Sequence, residues 1–446
     1  MKKLLLVYYL ISTSLFAQEN SEIKTVLIGN WEGAFIKNNS YQKFEFEIYK
    51  RNDNLYSLQI MNEWHPTFGE FEVPITITDT NQIQLGTGYG VALLNLDIKN
   101  LELVGQLKGF NPSIYIHLKK IAKKPKPNFT VKEFTVNSKT NKVFGHIHTP
   151  LENKLNTAII FVGGRGCGVE QTKYNLYAKF LRKYGFTVVA YHKQGTGKST
   201  GDCSKATITS LAYDVISIKN YLTNQPNNYQ KVGVLGVSAG GWTMTKAAEK
   251  TDFDFMISIV GPSTSVKEQQ IQSAKYGAKF YDLNRSSSNN LMAYLDLMYK
   301  AKANEKDFEK FQDLLVTAKK EKWNQLLEDT DIPKNAVDIN NLWVRRHDYN
   351  PKKVLNNYNK PFLAIYGDRD WIVPYKENVS ALNTYFSNNK DNLKTVVAYN
   401  AEHGMEMEAK TIDLGNNQSY WHFYRISPEV RIEIVNFLEK HGFLEQ

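Results

Sequence analysis

The chain has 446 residues, of which 42% are hydrophobic and 22% charged, and 55 Lys and Arg against 45 Asp and Glu give a formal charge of +10. That length exceeds one ordinary domain and is enough to bury a catalytic core. The lysines are scattered rather than blocked, and with no basic helix or stacking motif they describe a solvated surface and exclude nucleic acid as a partner.

Residues 1–17, MKKLLLVYYLISTSLFA, begin with two lysines, continue as an apolar run and end on a small residue before the polar QEN. This is the layout of a secretory signal peptide, so the mature chain is expected in the periplasm or the exterior. No later run reaches about 18 apolar residues, and no transmembrane segment is expected in the mature chain.

From 25 to 121 the pattern alternates apolar and polar residues (FEFEIYK, LYSLQIM, LELVGQL) between Gly, Asn, Asp and Pro breaks. It predicts a small all-β domain of roughly eight short strands. The opening LIGNWEGAF resembles the start of lipocalin-like barrels, in which Trp31 becomes a core aromatic that plugs one end. Lysine and proline dominate the linker that follows, 122–130.

Residues 131–446 open with two strands and continue as apolar runs alternating with amphipathic helices. TAIIFVGG, TVVAYHKQG, VGVLGVS, FMISIVGP, FLAIYGDRD and KTVVAYNAEH are the successive strand candidates. Apolar strands in turn with helices predict a mostly parallel sheet covered on both faces, an α/β class. About 263–350 interrupts this rhythm with charged helical sequence, which reads as a lid or an interaction module.

Gly236-Val237-Ser238-Ala239-Gly240 matches GxSxG directly after a strand and before a helix, where a serine hydroxyl is lifted out of a tight turn. Serine needs a base and an orienting carboxylate to become a nucleophile. Asp370 follows the strand ending at Gly367, and His403 follows the next. Asp368 competes for the acid's place, but Gly367, Asp370, Val373 and Pro374 fill GxxDxxVP. Glu402 is expected to point away from the site. An oxyanion needs two backbone N–H groups, one from Ala239 and one from the glycine-rich loop GGRGCG, at Gly164 or Arg165.

With GGRGCG, YHKQGTGKSTGDCSKATITSLAYDV, GVSAGG, GDRDWIVP and AEHG on the page, the chain from about 129 onward resembles the α/β-hydrolase superfamily. Within it the likeness is to secreted bacterial esterases and serine-peptidase-like hydrolases of the S9 and S33 kind with a helical lid. That resemblance implies the triad Ser238, Asp370 and His403. It departs at Lys193 and Gln194, where an Arg directly before the glycine is usual, which puts the loop's supporting ion pair in question.

Cys167 and Cys203 fall in loops opening on one sheet edge, and either a disulfide or two separate thiols fits; a bond would brace the rim of the site. QGTGKST lacks the first glycine of a phosphate loop, at His192, and GGRGCG fails GxGxxG. His146 and His148 form an HxH without a third ligand, so neither metal nor cofactor is expected. The lid offers Trp323, Trp343, Arg345 and Arg346, and the acid loop Trp371, as pocket or rim residues. The reading is a secreted serine hydrolase of carboxylic esters with a small acyl ester or peptide as substrate. The alternatives are a serine peptidase or aminopeptidase-like amide hydrolase, and a non-catalytic protein that binds an envelope component.

Overall fold

The computed structural model describes residues 21–37, 40–60, 71–79, 81–87, 90–107, 109, 113–123, 126–139, 141–167, 172–224, 229–405 and 427–444. The expected signal segment 1–17 lies outside them. The chain divides near residue 127 into two compact units.

In the first unit, a short helix α1 (residues 21–27) leads into eight antiparallel strands: β1 (Gly29–Lys37), β2 (Ser40–Arg51), β3 (Asn54–Ile60), β4 (Phe71–Asp79), β5 (Gln82–Thr87), β6 (Gly90–Asp97), β7 (Glu102–Leu107) and β8 (Ile114–Ile121). Each pairs with the next, and β1 closes on β8, with Trp31 opposite Lys120. Closure follows from the period-two pattern, because one face can be wholly apolar when no edge remains. Phe46, Ile83, Leu94, Leu103 and Ile116 fill the interior, and Ile23 and Leu27 of α1 join the same core. Trp31 is fully buried and its indole N–H donates to the Leu27 carbonyl at 2.8 Å.

The second unit is an eight-stranded sheet: β9 (Phe129–Ser138), β10 (Asn141–Pro150), β11 (Thr157–Val162), β12 (Thr187–Tyr191), β13 (Lys231–Val237), β14 (Met256–Ile259), β15 (Phe362–Gly367) and β16 (Leu393–Ala398). The order is β9-β10-β12-β11-β13-β14-β15-β16, and β10 is antiparallel to both neighbours while the strands from β11 on pair in parallel. Alternate side chains leave the sheet on opposite faces. Ile160, Val234 and Phe362 enter one core with α3 (Ile208–Thr223), α4 (Gly240–Ala248) and α10 (Tyr375–Tyr385). Ile159, Leu235 and Leu363 enter the other with α2 (Thr172–Lys183) and α11 (Pro428–Lys440). Parallel strands buried on both sides account for their unbroken apolar runs. This strand order and its one reversed strand are the α/β-hydrolase fold.

Between β14 and β15 the lid supplies α5 (Val266–Phe280), α6 (Arg285–Lys300), α7 (Glu305–Glu321), short 3₁₀ turns, α8 (Trp343–Arg346) and α9 (Lys352–Asn357). Ser265 and Glu268 form a capping box, and Asn284 and Asn304 cap α6 and α7. Trp323, Tyr294 and Phe311 make a separate lid core. Among the described residues no helix is long and apolar enough to cross a membrane.

Candidate active site

The turn from β13 into α4 holds Ser238 at φ +51°, a left-handed conformation that a residue with a side chain adopts only at a cost. Its neighbours explain the glycines. A Cβ on Gly236 would stand 2.7 Å from the Gly240 carbonyl oxygen, and one on Gly240 would stand 2.3 Å from that of Val162. The turn is thus packed between helix start and adjacent strand, with Ser238 N–H donating to Ile259 at 3.0 Å.

Ser238 Oγ lies 3.0 Å from His403 Nε2, and His403 Nδ1 lies 2.8 Å from Asp370 Oδ2. The other Asp370 oxygen accepts the backbone N–H groups of Ile372 at 2.8 Å and Val373 at 2.9 Å. Asp370's side chain is shut off from solvent, whereas His403 is about a quarter exposed. A carboxylate beside Nδ1 requires the proton there, which leaves Nε2 a lone pair aimed at the serine hydroxyl.

The loops carrying Asp370 and His403 are locked to one another. A Cβ on Gly367 would stand 2.2 Å from the Ala401 carbonyl oxygen, and Arg369 N–H donates to that carbonyl at 3.0 Å. Asp368 accepts from Ala401 N–H at 3.2 Å, so it is a brace between the loops and Asp370 alone reaches the imidazole. Glu402 pairs with Arg369 at 3.7 Å. Gln269 of α5 donates to the Ile372 carbonyl and ties the acid loop to the lid.

The glycine-rich loop after β11 passes directly over the serine, since a Cβ on Gly164 would stand 3.1 Å from Ser238 Cβ. Three side-chain ties hold this loop. Lys193 donates to the Gly164 carbonyl, and to that of Gly166 at 3.1 Å. Burial holds the Lys193 ammonium down at about 8. Cys167 and Cys203 are joined in a disulfide, Cα to Cα 5.8 Å, that fastens the loop to the 3₁₀ turn Cys203–Lys205. Arg165 turns its side chain to the lid, pairing with Glu328 at 2.9 Å and Asp331 at 2.7 Å beneath the Trp343 ring. Lys193, a departure from the usual arginine, therefore serves the loop through carbonyls instead of an ion pair.

Beside Ala239 and Gly164 opens a cavity of about 380 Å³, walled by Lys193, Ile208, Leu211, Trp343, Arg346 and His347 among others. Trp343 and Arg346 thus belong to the pocket. Trp323 is lid core, and Arg345 is spent on the carbonyls of Met298 and Ala301, each at 2.7 Å. Trp371 packs on Phe280 and Tyr281. His146 and His148 are buried, ring against ring, with His192 completing an aromatic cluster. Among the described residues no group of three or more His, Cys, Asp or Glu is placed to hold a metal ion.

Fold and site together define a hydrolase of the α/β type. The family model of the X-Pro dipeptidyl-peptidases (S15 family) matches residues 122–404. The chain belongs to that family, in keeping with the superfamily that its motifs resemble. Among solved structures, an esterase of Pyrococcus furiosus is similar at 17% identity, covering 70% of this chain and 91% of its own, with a TM-score of 0.44. A proline iminopeptidase of Mycobacterium smegmatis aligns at 17% identity over 70% and 99%, with a TM-score of 0.43. Est1E of Butyrivibrio proteoclasticus with bound ferulic acid aligns at 14% over the same shares, with a TM-score of 0.43. No curated protein matches the chain significantly.

Proposed function

We propose that the chain is an exported serine hydrolase that cleaves carboxylic esters through Ser238, His403 and Asp370. The observation that carries this reading is the continuous hydrogen-bonded line from Ser238 Oγ through the imidazole to Asp370, at 3.0 and 2.8 Å, at the ends of three strands. Ser238 attacks the carbonyl carbon while His403 Nε2 takes its proton. Asp370 holds the tautomer and stabilises the imidazolium. The oxyanion is received by the N–H of Ala239 and one from the Gly164–Arg165 segment. His403 then returns the proton to the leaving alkoxide, and water, deprotonated by the same imidazole, releases the acid from the acyl-enzyme.

Ester is favoured over amide by the cavity wall. Recognition of a substrate's ammonium end calls for unpaired carboxylates near the serine; Glu328 and Asp331, which meet the glycine-rich loop, are engaged by Arg165 and Asp338 by the Lys334 N–H, which leaves Asp329 as the one acid on the cavity wall without such a partner among the described residues. A peptidase is the second reading, supported by the family description and by Glu328 lying within electrostatic reach of His403. Export is supported by the leader-like residues 1–17 and by the disulfide, which persists in oxidising compartments.

The test is labelling of the mature protein with a fluorophosphonate, alongside panels of p-nitrophenyl esters and aminoacyl anilides. Wild type labels and turns over esters, while Ser238→Ala loses both. Anilide turnover exceeding ester turnover moves the assignment to peptidase, and folded wild type that neither labels nor turns over removes the catalytic reading.

A further inference from the structure

The cavity beside the glycine-rich loop has an electrostatic character that the triad does not explain. Lys193, Arg165, Arg346 and His347 converge on it, and His347 stays neutral down to about 4 chiefly through burial, with the repulsion of the three cations added and the Trp343 carbonyl opposing. Arg165 is neutralised by Glu328 and Asp331, and Lys205, also on the wall, by Asp202 at 3.2 Å. Lys193 and Arg346 have no carboxylate in contact among the described residues. Lys193 is held by the carbonyls of Gly164 and Gly166. Arg346 spends two of its five N–H donors on the carbonyls of Asn341 at 2.8 Å and Ala206 at 2.6 Å. Backbone dipoles orient these two charges without cancelling them, and desolvating them costs free energy that a bound anion offsets.

Two acids do line the same space, Asp329 and Asp338. Asp338 is turned back onto the backbone N–H of Lys334 at 3.1 Å, and Lys334 itself adds a further positive charge to the wall. Of the remaining wall, Ile208, Leu211, Leu342 and Trp343 are apolar, and Ser204, Thr243, Thr330 and Asn341 are neutral and polar. A chamber of about 380 Å³, part apolar and part polar, in which a guanidinium and an ammonium have no carboxylate in contact among the described residues, fits a short hydrocarbon segment ending in a carboxylate.

We infer that this cavity is a carboxylate subsite, in which Arg346 and Lys193 receive a free carboxylate of the substrate at a short distance from the bond that Ser238 cleaves. The inference rests on the reading of Ser238 as the nucleophile. The carboxylate belongs either to a half ester of a short dicarboxylic acid or to the C-terminus of a short peptide, and the chemistry that recognises it is the same. Arg346 is a specificity residue here, and Lys193 both a specificity and a positioning residue, through the glycine-rich loop.

The experiment compares matched pairs on the mature wild-type protein: p-nitrophenyl hemiglutarate against p-nitrophenyl valerate, 4-carboxyphenyl butyrate against phenyl butyrate, and short peptide acids against their amides. A charge-assisted contact predicts that at least one carboxylate-bearing member is favoured on the order of 10- to 100-fold in kcat/KM. Arg346→Gln abolishes that preference, Arg346→Lys restores part of it, and salt reduces it in wild type. The pair that shows the preference identifies the source of the carboxylate. Neutral esters hydrolysed as fast as their charged partners, with fluorophosphonate labelling intact, overturn the subsite while leaving the hydrolase standing. No turnover and no labelling overturn both. The wild-type comparison needs no variant to fold.

Discussion

Replacing both Cys167 and Cys203 by Ser removes the one covalent tie on the glycine-rich loop, and its cost follows from chain length. The bond spans 36 residues of sequence, for which chain entropy gives about 13 cal/mol/K, or about 4 kcal/mol at 25 °C. Spread over the roughly 300 residues of the hydrolase unit, whose unfolding entropy is on the order of 0.6 kcal/mol/K, this is a fall in Tm of about 6 °C. On the proposed mechanism the loop also supplies one of the oxyanion contacts, and a displacement on the order of 1 Å costs up to about 100-fold. A drop of roughly 10- to 100-fold in kcat, with KM less affected, is therefore expected. Calorimetry and p-nitrophenyl ester kinetics, on the double variant and on wild type with and without reductant, measure both quantities. An unchanged Tm in the double variant refutes the chain-entropy reasoning. A lowered Tm with unchanged kcat shows that Lys193 and Arg165 hold the loop unaided, and refutes the positioning role given to the disulfide.

Two further outcomes follow from the same geometry. Asp370→Asn leaves the imidazole in the wrong tautomer and lowers kcat by about 10⁴-fold, whereas Asp368→Asn, which loses only the contact to Ala401 N–H, stays within about tenfold; equal losses in ester kinetics contradict the assignment of the acid. His347 ordinarily titrates near 6.5 but is held at about 4 in the fold, so the unfolded chain binds the extra proton between those values and stability falls as pH drops from 6.5 to 4, by roughly 3 kcal/mol for this residue. Asp214, raised to about 6 by burial, acts with the opposite sign below pH 6. Denaturant melts of His347→Gln are therefore needed against wild type, and an unflattened pH slope in the variant rules out His347 as the source.

What was legible in the sequence was local. Each of Ser238, Asp370 and His403 sits within a few residues of a strand's carboxyl end, and the parallel sheet brings those ends together whatever lies between them. The barrel was legible for the same kind of reason, because period two needs only a few residues to show itself. Contacts that join distant segments were not. Lys193 reaches carbonyls 29 and 27 residues away, and Arg165 reaches Asp331 across 166 positions, so nothing in either neighbourhood announces the partner. Trp323 and Trp343 look alike in sequence, and only the fold puts one in the lid core and the other on the cavity wall. The choice between Asp368 and Asp370 rested on a pattern, and what decides it physically is that Ala401 N–H occupies the first while the imidazole occupies the second.

The glycine-rich loop is where these separate contacts meet. From the sheet side it is pressed against the turn of Ser238, where a Cβ on Gly164 would come within 3.1 Å of Ser238 Cβ and one on Gly240 within 2.3 Å of the Val162 carbonyl oxygen. From the side it is held by Lys193 and by the disulfide, and Arg165 ties it to two carboxylates of the lid, Glu328 and Asp331. A side chain in the left-handed conformation of Ser238 persists only where its surroundings over-determine it. On the proposed mechanism the same restraints fix the amides of Ala239 and the Gly164–Arg165 segment that would receive the oxyanion. Because Arg165 is part of that loop and Glu328 and Asp331 are part of the lid, any shift of the lid turn that carries these acids must pull on the oxyanion contacts as well. Substrate that seats beneath the lid and substrate that reacts at Ser238 are therefore read by one connected set of contacts, and a lid substitution such as Asp331→Asn should register in kcat as well as in KM.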